Sequence, residues 1–96
     1  MILEAVVLPV IRARMSAFEE AFAEARAIIE STPGFVSLEL HRGVEQPSDY
    51  LLLVRWETLE AHTIGFRQSP AYARWAGLLH RFYEPFPEVR HYEPLG

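Results

Sequence analysis

The chain has 96 residues, half of them apolar, with a formal net charge of −4 and no cysteine. A chain of that length makes one domain, residues 1–96, and buries only about 60–65% of its unfolded surface, so association with a second copy is a natural remedy. The mildly acidic, mixed charge argues against a nucleic-acid partner, the missing cysteine excludes disulfide and thiol chemistry, no window approaches the ~20 apolar residues of a membrane span, and a start without an apolar leader makes the cytoplasm the expected compartment.

Ile2 to Val10 (ILEAVVLPV) reads as a first strand, β-branched and almost wholly apolar, with Pro9 near its end. Ser16 to Ser31 reads as a helix. Ser16-Ala17-Phe18-Glu19 has the spacing of a capping box. Phe18, Ala21, Phe22, Ala25, Ile28 and Ile29 form one stripe at helical period, and Thr32-Pro33-Gly34 ends it. Phe35 to Arg42 alternates as a second strand, Gly43 to Asp49 is a hairpin loop, and Tyr50 to Trp56 is a third strand. Thr58 caps a short helix from Leu59 to about Arg67. Ser69 caps the next helix, with Pro70 at its first position. Tyr72, Trp75, Leu78, Leu79 and Phe82 form that helix's inner stripe. A proline-punctuated connection, Tyr83 to Pro87, leads to a short final strand from Glu88 to Tyr92.

The order β-α-β-β-α-(α)-β has a common solution. It is the α+β ferredoxin-like βαββαβ fold, an antiparallel sheet with helices on one face. The other sheet face is not polar. On strand three Tyr50, Leu52, Val54 and Trp56 oppose Leu51, Leu53 and Arg55. On strand two Val36, Leu38 and Leu40 oppose Phe35, Ser37, Glu39 and His41. A sheet apolar on both faces needs cover on both. A homodimer packed sheet to sheet, a dimeric α/β barrel, is therefore the expected assembly.

Among candidate site residues His62 comes first. It shares a helical face with Leu59, Thr63 and Phe66. An ordinary imidazole titrates near 6.5 and can take a phenolic or activated CH₂ proton near neutrality. A structural histidine bonded to backbone is the equal and opposite reading. For Trp56, core packing with an indole hydrogen bond outweighs a place in the pocket. Trp75, Tyr72 and Phe82 read first as core, with Tyr72 able to present its hydroxyl to a cavity. His41, Arg55 and Glu39 read as an ion-pair or interface network. His91 can reach either sheet face. His80, Arg74 and Arg81 read as solvated surface, as do the glutamates of the first helix. Four histidines, one aspartate and no H-x-x-x-H spacing give no metal site. No phosphate-binding loop or nucleophile motif stands out. The absence of lysine rules out Schiff-base catalysis.

Arg55-Trp56-Glu57-Thr58, His62, the run Phe66-Arg67-Gln68-Ser69-Pro70-Ala71-Tyr72 and the closing Val89-Arg90-His91-Tyr92 resemble the antibiotic biosynthesis monooxygenase (ABM) domain of the dimeric α/β-barrel superfamily. The resemblance spans about Ile2 to Tyr92. It implies oxidation of electron-rich aromatics such as anthrones and hydroquinones by O₂, with no metal, flavin or haem, in a dry pocket that helps remove a proton. Trp56 matches a pocket tryptophan of anthrone-oxidising members, and His62 stands where they place a tyrosine. Leu52 replaces their strand asparagine. Phe66 and Ala71 replace two histidines of quinol-oxidising relatives. Ala73 to Ala76 lacks the iron ligand of haem-degrading ones.

The resulting expectation is a cofactor-independent monooxygenase of a small aromatic ligand. His62 is its proton acceptor, and Trp56, Phe66, Tyr72 and Trp75 are its substrate-binding aromatics. The alternative is a non-catalytic ligand-binding or stress-associated module of the same fold. A weaker third reading is an isomerase or lactone-forming enzyme using the same histidine without O₂. The cavity discriminates: if Trp75, Phe82 and Ile28 fill the space beneath His62, no substrate fits.

Overall fold

The computed structural model describes all 96 residues, Met1–Gly96. Four strands, β1 (Ile2–Pro9), β2 (Phe35–Arg42), β3 (Asp49–Trp56) and β4 (Arg90–Tyr92), form one antiparallel sheet in the order β2-β3-β1-β4. Helices α1 (Met15–Glu30) and α2 (Pro70–Leu79) cover one face. This is the α+β ferredoxin-like arrangement expected from the order of elements. No helix is long and apolar enough to cross a membrane.

The core lies between sheet and helices. Val6 and Leu8 of β1, and Tyr50, Leu52, Val54 and Trp56 of β3, meet Phe18, Ala21, Phe22, Ala25 and Ile29 of α1. Trp75, Leu79 and Phe82 close it from the α2 side. Burial of this apolar surface is the main force that holds the helices on the sheet. Gly34 makes the turn from α1 into β2 at φ +88°, and a Cβ there would lie 2.6 Å from the Ala61 Cβ. Only glycine satisfies both demands.

Four local expectations are corrected. Helix α1 starts at Met15 without a side-chain cap, because a 3₁₀ turn, Arg12–Arg14, runs straight into it and leaves Ser16 inside the first turn. The alternation of β2 breaks at a bulge between Phe35 and Ser37. Phe35 therefore sits opposite Trp56 and packs on it edge to face, while Val36 turns outward. The segment after β3 winds as a π-helical turn, Ala61–Phe66, with the Arg67 amide donating to the His62 carbonyl at 3.1 Å. Leu59, placed on the inward face with His62, is exposed. Finally, β4 begins at Arg90 rather than Glu88, because Pro85 and Pro87 hold the preceding chain off the ladder.

Two caps form as expected. Thr58 Oγ1 accepts from the Ala61 amide at 3.1 Å, and Ser69 Oγ accepts from the Tyr72 amide at 3.3 Å, with Pro70 at the first helical position. The outer sheet face carries Leu3, Ala5 and Val7 of β1, Leu51 and Leu53 of β3, and Tyr92 of β4. Beside them Glu39 pairs with His41 at 3.0 Å and with Arg55 at 3.2 Å, the network read from the sequence. Not every glutamate of α1 is simply solvated: Glu19 accepts from the Tyr50 hydroxyl at 2.6 Å and is bridged by Arg42.

Candidate active site

Strand β1 contributes the first polar group. Its inner face presents Glu4, Val6 and Leu8, so one carboxylate stands in an apolar row, 5% exposed. From the neighbouring strand, Trp56 Nε1 donates to Glu4 Oε1 at 2.9 Å. The π turn brings His62 over the same carboxylate, with its Nε2 3.4 Å from Glu4 Oε1. The His62 ring lies flat on the Trp56 indole, centroids 5.2 Å apart and planes 18° apart. Its Nδ1 is 2.7 Å from Nε2 of His91. His91 is the residue directly opposite Glu4 in the β1–β4 pair. The pairing of β1 with β4 therefore assembles a carboxylate–imidazole–imidazole row.

Burial dominates the electrostatics here. It pushes the Glu4 carboxyl up to about 7, and the Trp56 hydrogen bond and the positive charge of Arg67 oppose that rise. Burial pushes His62 down to about 3, helped by Arg67 and His91. His91 is lowered too, by burial and then Arg67. Near neutral pH burial thus favours an uncharged imidazole at His62 beside a carboxyl whose ionisation it opposes.

A cavity of about 430 Å³ opens against this row, within the range of small-molecule sites, roughly 300–1,000 Å³. Glu4, Val6, Leu8 and Leu52 form its sheet side, and Phe66, Tyr72 and Trp75 its helix side. Tyr83, Phe86, Pro87 and Val89 of the proline-rich connection also line it. Phe82 and Ile28 do not fill this space: Phe82 packs on Phe18, with centroids 5.8 Å apart, and neither borders the cavity. No group of three or more His, Asp or Glu side chains is arranged as a metal cluster.

Of the residues singled out in the sequence, His62, Phe66, Tyr72 and Trp75 border the cavity. Trp56 does not. It is fully buried behind Glu4 and His62, held between Phe35 and Phe66, and reaches the site only through its N–H. His80 is a correction: it is half-buried and borders the cavity. The end of α2 tightens into a 3₁₀ turn, His80–Phe82, which rotates the ring onto Tyr72 and Phe86.

Sequence reasoning missed Glu4, Arg67 and the specific place of His91. Glu4 had a signal: it shares the alternation phase of Val6 and Leu8, so an inward strand placed it in the core. His91 had none, since the register of a three-residue edge strand is not written locally.

Comparison with known proteins agrees with this architecture. The antibiotic biosynthesis monooxygenase (ABM) family profile matches residues 1–78. The chain is 46% identical over 95 residues to the "Uncharacterized protein YczJ" of Bacillus subtilis (strain 168), covering 99% of this chain and 100% of that one. A crystal structure from Bordetella bronchiseptica, assigned to the antibiotic biosynthesis monooxygenases, superposes with a TM-score of 0.93 at 33% identity, over 98% of this chain and 96% of the other. SnoaB, a cofactor-independent oxygenase from Streptomyces nogalater, shares the fold with a TM-score of 0.81 at 22% identity, over 99% and 93% of the two chains. The chain belongs to the antibiotic biosynthesis monooxygenase family.

Proposed function

We propose that this protein is a cofactor-independent monooxygenase of a small, electron-rich aromatic such as an anthrone or hydroquinone, and that it works as a homodimer. The observation that carries the reading is the buried Glu4–His62 pair on the wall of an otherwise largely apolar cavity. Family membership supports the reaction class, and SnoaB is a cofactor-independent oxygenase of the same fold.

The chemistry follows from the pair. His62 alone is a poor base, because burial disfavours its cation. Glu4, pushed up to about 7, is far better matched to a phenol or an activated CH₂. The pair therefore acts as the proton acceptor, with His62 orienting the carboxylate and Trp56 holding Oε1 in place. Phe66, Tyr72 and Trp75 form the aromatic side against which a planar ring lies. The largely apolar pocket favours electron transfer from the substrate anion to O₂. Recombination of the two radicals forms a C–O bond. The peroxide anion takes up one proton, replacing the one lost to Glu4. Loss of water from the hydroperoxide leaves a carbonyl, so one oxygen ends in product and the other in water.

The dimer reading rests on the outer sheet face. Val7 (53% exposed) and Tyr92 (50%) stand there beside Leu51, and a second copy of the same sheet is their natural cover. A second functional reading, a ligand-binding module without catalysis, is favoured by Leu52. It borders the cavity at the position where anthrone-oxidising members carry asparagine.

The test is O₂ uptake by the metal-free protein against anthrones, hydroquinones and catechols, with His62→Ala alongside. Uptake that falls at least tenfold in the variant is the expected result. Binding of these aromatics without uptake would replace the oxygenase reading with the module.

A further inference from the structure

We propose that Glu4, His62 and His91 form a proton-conducting chain that joins the buried carboxyl to solvent at the edge of the sheet. Its use in turnover rests on the oxygenase reading, but its existence does not.

The geometry places the three groups in one row. His62 Nδ1 and His91 Nε2 are 2.7 Å apart, so one carries the shared proton and the other accepts it. His62 Nε2 faces Glu4 Oε1 at 3.4 Å, about 0.4 Å beyond an optimal bond and within reach of a small ring movement. Two arrangements leave no clash of like lone pairs or like protons. In the first, Glu4 is a carboxylate, His62 Nε2–H donates to it, and His91 Nε2–H donates to His62 Nδ1. In the second, Glu4 is protonated and its O–H donates to His62 Nε2. His62 Nδ1–H then donates to His91 Nε2, and His91 carries its proton on Nδ1.

The passage from the first to the second balances without any charged imidazole. A proton enters at His91 Nδ1. The Nε2 proton of His91 moves to His62 Nδ1, and the Nε2 proton of His62 moves to Glu4. One O–H bond is made at the carboxyl, and each ring ends neutral. The reverse passage empties the carboxyl after it has taken a substrate proton. Trp56 Nε1 stays on Oε1 throughout and fixes the carboxyl against rotation.

The chain's position fits a route to water. Glu4 is buried and His91 is half-buried on β4, the edge strand, where it borders a groove at the surface. The charged and titratable neighbours are few. Arg67, at the end of the π turn, acts on all three groups. Arg90 of β4 lies toward Glu88 at 3.4 Å. Tyr72 and His80 of the α2 side border the same cavity. Burial keeps His62 neutral, as the chain requires.

The test is ¹⁵N NMR of the full-length protein labelled at histidine, from pH 6 to 8.5. Nitrogen shifts distinguish the two neutral tautomers from the cation. The expected result is that His62 and His91 exchange tautomers in step, with one midpoint near that of Glu4, while His62 stays neutral. In Glu4→Gln both tautomers become independent of pH. In His91→Phe the His62 changeover is lost or moves down by a pH unit or more. Three results would overturn the proposal: a His62 cation in this range, a His91 tautomer that ignores that of His62, or a His91→Phe changeover identical to wild type. None depends on O₂ uptake, so loss of the oxygenase reading leaves this result interpretable.

Discussion

Glu4→Gln should stabilise the protein, and by an amount that grows with pH. The unfolded carboxyl titrates near 4.5, and burial pushes the folded one up to about 7. Below pH 4.5 both forms are protonated and the residue carries no penalty of this kind. Between 4.5 and 7 the folded chain keeps a proton that the unfolded chain has lost, so stability falls as pH rises through that window and levels off above it. At about 1.36 kcal/mol per pH unit, the full penalty is about 3 kcal/mol. Glutamine cannot ionise, yet keeps an oxygen for the Trp56 N–H. The assay is urea denaturation of wild type and variant at matched protein concentration at pH 5, 6, 7 and 8. The variant should gain less than about 1 kcal/mol at pH 5 and about 3 kcal/mol at pH 8. His62 has the opposite sense: its folded pKa is pushed down to about 3, so it costs stability as pH falls below 6.5. Both proteins carry it, and subtraction removes it. A difference that stays constant with pH, or that shrinks as pH rises, would refute the claim that Glu4 is held in a desolvated site.

Trp56→Phe keeps the ring stacked on His62 but removes the N–H on Glu4. It should cost about 1.5–3 kcal/mol at pH 8, where the acceptor is charged, and less at pH 5, both read by denaturation. Gly34→Ala places a side chain at φ +88° against Ala61 and should cost about 1–3 kcal/mol; an unchanged midpoint would mean that the turn has an alternative path. Leu51→Glu puts a charge on the exposed sheet face. It should convert a dimer to monomer in sedimentation equilibrium at micromolar concentration, and an unaltered mass would move the interface elsewhere.

The fold was largely legible because its signals are local. The stripe Phe18-Ala21-Phe22-Ala25 and the inner row of β3 are periodicities within single elements. The Ser69-Pro70 start is a cap made by neighbours in sequence. Local reasoning failed where neighbours were not sequential. The bulge at Phe35 follows from packing against Trp56, and the start of α1 from the preceding 3₁₀ turn.

The candidate site divides the same way. The amino-acid sequence by itself put His62 and Phe66 on one side of a short turn and placed a lone carboxylate in phase with Val6 and Leu8. Only the tertiary structure decided that Glu4 meets Trp56, His62 and His91, that Trp56 stands behind the cavity, and that His80 borders it. The reason is physical. Strand register and the packing of the β4 connection are set by long-range burial, and the properties that matter for chemistry — a raised carboxyl and a neutral imidazole — arise from desolvation by residues distant in the chain.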